Sequence, residues 1–393
     1  CLNECPDNEN SKILQLESLI TLGPVLMALE GSGSEQARAN YRQAVTLCEE
    51  LPASPMQFKA LWGQWNASMD YSRDEGLIWA NKLQQLAENL DYRELKLQAC
   101  HCQWATRFHY ANHQDAKPYL LEGLRLYDID QDRHHASEFG GHDPKVCGLV
   151  FLSWVHWFLG ECREAEARSQ ESLEFADTLN HNGSFLHAVE LNLLLSQYQR
   201  DSKKTRELTL RLESLCEEMG LPEYEGKLSC CKGIVCVDNG ELGKGIELLE
   251  SGIQKLRDVG TPEDIPVYSE YLARALGLAE RIDDALRGLD TLIDELQDQK
   301  LRYWHAEIYR RKGNLLLASG DQQQALRFLL MSRQVAEEQN ALSLELRSAM
   351  SLYEYERQTH AYPQARDELR TVLKRFAPNQ ASSELESASG LLN

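Results

Sequence analysis

Apolar residues recur along this chain at helical spacing, in stretches of roughly 16–18 residues separated by short polar turns. The run ALRGLDTLIDEL (285–296) is representative. No sustained alternation of apolar and polar residues marks a strand, so the pattern predicts helices throughout.

The turns repeat. Gly160, Gly240 and Gly320 are spaced by 80, and polar turns beginning near Arg200, Glu280 and His360 lie midway, which makes the true period 40. A small or compact residue follows each turn by five places: Ala165, Thr205, Gly245, Ala285, Ala325 and Ala365. Ser153, Gly233, Ala273 and Gly313 mark a second small position earlier in the unit, which Leu193 and Tyr353 break. Small residues at fixed places let two helix backbones approach closely, so each unit is expected to be a helix hairpin stacked on the next. Earlier units keep the later small residue at Ala37, Gly76 and Ala116. That makes about nine units. The step from 116 to 165 is 49, about nine residues too long. The excess coincides with HHASEFGGHDP (134–144). The expected fold is all-α, a right-handed superhelix. Irregular repeats would fill 1–128, an inserted loop 129–143, regular repeats 144–376 and a tail 377–393.

This pattern resembles tetratricopeptide repeats, with helices longer than in the usual unit of about 34 residues. Four segments support a narrower resemblance: LGPVLMALEG (22–31), GHDPKVCGLVFLSWVHWFLGECREAEARSQESLEFA (141–176), WHAEIYRRKGNLLLASGD (304–321) and LSLELRSAMSLYEYERQTHAYPQARDELRTVL (342–373). They are similar to the carboxy-terminal repeats of large bacterial signalling proteins. Those proteins carry a class III nucleotide cyclase or a DNA-binding domain, then a STAND-type ATPase, then the repeats. The resemblance implies a sensing arm that restrains an upstream NTPase region of the same polypeptide. The enzymatic motifs do not carry over: there is no G-x-x-x-x-G-K-[ST] loop, and GELGKG (240–245) has the wrong spacing.

Composition narrows the picture further. A chain of 393 residues exceeds one ordinary core, a limit that repeats escape. The formal charge of −20, without a Lys/Arg cluster beyond Lys203, Lys204 and Arg206, argues against non-specific nucleic-acid binding. The most apolar run (146–160) is about 15 residues and contains His156, short of the roughly 20 that span a membrane. Eleven scattered cysteines without a CxxC pair suit a reducing cytoplasm. The opening Cys1 suggests a piece of a longer protein.

Two places hold candidate chemistry. Asp128, Asp130 and Asp132 begin like a calcium loop, but Arg133 and Phe139 stand where Gly and Glu belong. His134, His135 and His142, with His109 and His113 one helix earlier, offer zinc donors. The competing reading is a joint between units, in which Asp143 caps a helix that starts at Pro144. The second place is the inner wall of the superhelix, lined by first helices. Its candidates are Trp154, Trp157, Glu190, Tyr198, Arg274, Glu307, Arg310 and Asn314. Aromatic residues beside Arg and Glu suit a peptide or small effector; alternatively the tryptophans are core and Glu307–Arg310 is a surface i,i+3 pair. Carboxylate pairs such as Glu49–Glu50 sit on outer helices. The expectation is therefore a non-catalytic, cofactor-free binding module for a protein, peptide or small-molecule partner. A metal-dependent enzyme centred on 134–144 and a pure protein scaffold are the alternatives.

Overall fold

The computed structural model describes residues 8–30, 34–69, 73–221, 224–299 and 301–393; Cys1 and Gly31 lie outside them. Among the described residues every regular element is a helix. α1 (Glu9–Glu30) pairs with α2 (Glu35–Cys48), α3 (Pro55–Met69) with α4 (Arg73–Leu90), and α5 (Arg93–His109) with α6 (His113–Leu126). Two single turns, α7 (Ile129–Asp132) and α8 (His135–Glu138), follow. Six further hairpins come next. They are α9 (Pro144–Phe158) with α10 (Cys162–Thr178), α11 (Asn182–Tyr198) with α12 (Ser202–Met219), and α13 (Glu225–Asp238) with α14 (Leu242–Val259). After these come α15 (Ile265–Leu278) with α16 (Ile282–Gln299), α17 (His305–Ala318) with α18 (Gln322–Glu338), and α19 (Leu342–Thr359) with α20 (Ala365–Leu373). α21 (Ser383–Leu392) ends the chain. The arrangement is a tetratricopeptide-like helix solenoid.

The backbone keeps the 40-residue period. Gly160, Arg200, Gly240, Glu280, Gly320 and His360 all take positive φ, between 56° and 91°. Each ends the first helix of its hairpin in the left-handed conformation that frees the chain to reverse. The equivalent residue one unit earlier is Ala111, 49 residues before Gly160, so the register slips where the sequence places the insertion. Helix starts follow side-chain chemistry. Asp143 accepts from the amides of Lys145 and Val146 with Pro144 in the first turn, and Asp201, Asp321 and Ser382 cap their helices in the same way.

Small residues set the close approaches. A β-carbon on Gly233 would lie 3.0 Å from the carbonyl of Gly245, and one on Gly252 would lie 2.7 Å from that of Gly226. α13 and α14 therefore pack backbone to backbone.

The superhelix also closes on itself. The Arg302 amide donates to the carbonyl of His109 (3.1 Å), and the Tyr271 hydroxyl donates to that of Gln197 (3.0 Å). Gln380 receives the Arg163 amide (2.8 Å) and donates to Glu164 (2.8 Å). An aromatic plug fills the axis where these turns meet. Tyr198 lies 5.9 Å from Trp157, 5.7 Å from Phe158 and 4.9 Å from Trp304, all ring to ring.

Candidate functional site

Beyond the plug the turn between α11 and α12 and the inner faces of α13, α15, α17 and α19 surround a cavity of about 730 Å³, and α21 forms one wall. Arg274, Arg310 and Asn314 line it, with Arg200, Arg311 and Arg347 beside them. Leu317, Met350 and Leu391 supply apolar lining.

A buried ion network underlies the cavity floor. Glu307 is fully buried, and its carboxylate receives Arg310 (2.6 and 2.9 Å), Arg200 (3.2 Å) and Arg347 (3.2 Å). Glu270, also fully buried, receives Arg311 at 2.7 Å and a second, close contact from Arg200. Burial alone would push both carboxyl groups up; the surrounding guanidinium groups outweigh it and hold them below the usual carboxylate range. Arg200 lies over the Tyr271 ring (4.1 Å) and Arg347 over Trp157 (5.0 Å). Arg347 also reaches the Tyr198 carbonyl and, through Nε at 2.6 Å, Glu384 of α21. Arg310 and Asn314 both approach the Ser351 hydroxyl, at 3.3 and 3.4 Å. Arg274 pairs with Asp238 at 2.9 Å. These arginines are held by counter-charges, so the donors are oriented before any ligand arrives.

The inner-wall candidates thus divide. Arg274, Arg310 and Asn314 face the cavity, and Glu307 lies beneath it. Trp154, Trp157 and Tyr198 do not face an open groove: all three are buried, because the closing turns cover the ends of α9 and α11. The Trp154 indole donates to the Leu191 carbonyl at 3.1 Å. Glu190 belongs to another cluster, with the Tyr224 hydroxyl (3.0 Å) and Lys227. Arg200, Glu270, Arg311 and Arg347 join the site without having stood out in the sequence. A signal for part of this set exists: Glu307 and Arg347 stand 40 residues apart and Glu270 and Arg311 stand 41 apart, about one period, and each pair meets across successive inner helices.

Residues 134–144 are absent from the cavity lining. His134 is exposed beside Glu138, at 3.9 Å. His135 is buried and accepts from the Gln98 amide at 3.0 Å. These two do not join His142, because they turn inward and outward on α8. One donor atom from each of Glu94, His134 and His135 still falls within 4.8 Å of the others. His113 stacks on Phe158 and His109 packs against Phe108 and Tyr303, so these two are engaged elsewhere. Asp132 is taken by Arg93 at 2.7 Å through each oxygen, so the calcium-like aspartates do not converge. Asp143 caps α9 and accepts from the Tyr127 hydroxyl (2.8 Å). His142 turns to α5 and α9 instead, where one donor atom each from His101, His142 and Cys147 lies within 4.8 Å of the others.

Fold and cavity together define a tetratricopeptide-like solenoid with an arginine-lined inner chamber. Solved structures share that fold. A Rap protein complexed with competence and sporulation factor superposes with a TM-score of 0.62 at 10% identity, over 98% of this chain and 100% of that one. A human IFIT1 dimer with PPP-AAAA gives 0.51 at 14% identity, over 98% and 85%. In sequence, an uncharacterized protein of Rhizobium meliloti (strain 1021) is 28% identical over 353 residues. That match covers 88% of this chain, which spans 34% of the relative's length. No family model matches. No described helix is long and apolar enough to cross a membrane.

Proposed function

We propose that this chain is a non-catalytic binding and sensing module that captures a peptide or small effector in its inner chamber. The observation that carries the reading is the chamber itself: about 730 Å³, with Arg274, Arg310 and Asn314 pre-oriented on its inner helices. That volume suits a short peptide or metabolite. The Rap and IFIT1 complexes carry very different ligands in the same kind of solenoid, which supports the binding role without choosing the ligand. A ligand bridging α15, α17 and α19 would change their mutual angles, and the closing contacts would pass that change to α9 and α11.

We further propose that this movement regulates an ATPase or cyclase region of the same polypeptide. The chain spans 34% of the Rhizobium relative's length, which leaves room for such a region in a larger protein; the choice of ATPase or cyclase rests on the sequence resemblance alone.

A thermal-shift screen of the purified chain with peptides and metabolites tests the first proposal. A genuine chamber ligand raises the melting temperature of the parent and loses most of that effect in Asn314→Ala and Arg274→Ala. A ligand that stabilised both variants as well as the parent would place binding elsewhere.

A further inference from the structure

His142 ends the inserted segment, yet its ring lies among residues of three different helices. His101 comes from α5, Cys147 from the first turns of α9, and His187 from α11. His101 and Cys147 are almost wholly buried. The His101 Nε2 faces the Cys147 sulfur at 3.5 Å. Each of the two ligand-facing imidazoles is anchored through its other nitrogen. Nδ1 of His142 meets the Gly140 carbonyl at 2.9 Å, and Nδ1 of His101 meets the Gln98 side-chain oxygen at 3.3 Å.

A carbonyl oxygen only accepts, so these contacts put the proton on Nδ1 and leave the Nε2 lone pair bare. The Nε2 of His142 is shielded from solvent and has no hydrogen-bond partner. A buried acceptor left unpaired is costly. His187 stacks flat on His142, with ring centroids 3.8 Å apart, and fixes the plane of that ring. This is the construction seen where histidines bind metal: a carbonyl partner on one nitrogen sets the tautomer and presents the other.

We propose that His101, His142 and Cys147 bind one zinc-class divalent ion, which clamps the inserted segment to the α5–α9 junction. Two imidazoles and a thiolate form a borderline-soft donor set that suits zinc and excludes calcium and magnesium, which need oxygen ligands. On binding, the Cys147 thiol releases its proton to solvent and the sulfur bonds to the metal. Zinc bonds of about 2.0–2.3 Å require the donors to contract by roughly 1 Å from their present spread. That contraction falls on the loop, where Gly140 and Gly141 sit at φ of 80° and 78°, a region glycine adopts without strain. A pin here also accounts for the insertion, whose extra residues carry His142 across to a donor set with its other members on α5 and α9. This inference is independent of the chamber, because none of these residues lines it.

The test uses the full chain with any affinity tag removed. Elemental analysis and titration with Zn²⁺ alone, against a competing chromophoric chelator, should give one ion per chain with sub-micromolar affinity. His142→Ala and Cys147→Ser should each weaken binding at least tenfold while circular dichroism reports unchanged helix content. Cobalt(II) loading should give a thiolate-to-cobalt charge-transfer band in the near ultraviolet that disappears in Cys147→Ser. A folded parent that binds no zinc in the chelator assay, or a cobalt band that survives in Cys147→Ser, would overturn the proposal.

Discussion

Ser343 donates its hydroxyl hydrogen to the carbonyl oxygen of Trp157 at 2.5 Å, across 186 residues of chain. The bond joins the start of α19 to the end of α9, where helix carbonyls lack intrahelical partners. In an open solenoid each hairpin feels only its neighbours, so a change in the ninth hairpin should fade before it reaches the fourth. Here the two touch. Ser343→Ala is expected to cost about 1 kcal/mol and to speed amide exchange at the ends of both α9 and α19. Hydrogen exchange followed by mass spectrometry checks this. Faster exchange in α19 alone would mean the turns are not coupled. Trp157→Ala should cost about 3–5 kcal/mol, since it empties the plug.

Glu307 and Glu384 both bind Arg347, but their surroundings differ. Glu307 balances three arginines in a buried site, whereas Glu384 is hydrogen-bonded by Arg347, and burial raises its pKa despite that partner. Glu307→Gln should cost about 3–5 kcal/mol, because it leaves buried guanidinium groups without their counter-charge. Glu384→Gln should cost less than about 1 kcal/mol, since a neutral isostere keeps the hydrogen bond and removes a desolvated charge. Urea unfolding of the two variants at neutral pH gives the comparison; equal costs would mean the network is not a unit.

These contrasts mark how far the amino-acid pattern reaches. The period was legible because Gly160, Gly240 and Gly320 belong to a residue type that takes positive φ freely. Arg200, Glu280 and His360 adopt the same conformation, and only counting finds them. The cap at Asp143 was legible because Asp followed by Pro is local chemistry. Closure of the superhelix was not legible. Trp154 and Tyr198 lie on inner faces whether the axis is open or filled. What covers them depends on small rotations summed over several hairpins. The partners of His142 were hidden for the same reason. His101 and Cys147 lie on two different helices, while the neighbouring His134 and His135 draw the eye and turn elsewhere.

The backbone contact between α13 and α14 leads to a packing prediction. A β-carbon on Gly252 would sit 2.7 Å from the Gly226 carbonyl and 2.5 Å from the Cys230 sulfur. The sulfur can turn aside, but the carbonyl cannot yield without parting the helices. Gly252→Ala should destabilise by about 1–3 kcal/mol, although alanine is the better helix former by roughly 1 kcal/mol. Gly243, also in α14, has open space around it, so Gly243→Ala should be stabilising. Thermal unfolding of the pair separates the two effects, because propensity alone predicts that both changes stabilise.

His113 gives a prediction in pH. It is completely buried, stacks on Phe158 with ring centroids 4.3 Å apart, and neither ring nitrogen has a hydrogen-bond partner. Burial pushes its pKa down to about 3. As pH falls below about 6.5 the unfolded chain takes up a proton that the folded chain refuses until about pH 3. Stability from this site is therefore complete above pH 6.5 and drains as pH falls toward 3. His113→Phe keeps the ring contact and removes the titration. At pH 7 it should stabilise by about 1–3 kcal/mol, through loss of the unpaired polar atoms. At pH 5 the advantage should grow by about 2 kcal/mol, because each unit below the unfolded pKa is worth up to about 1.4 kcal/mol. Urea unfolding of parent and variant at the two pH values measures the difference. An advantage that does not change between them would mean that His113 is protonated in the fold, with a partner for its charge.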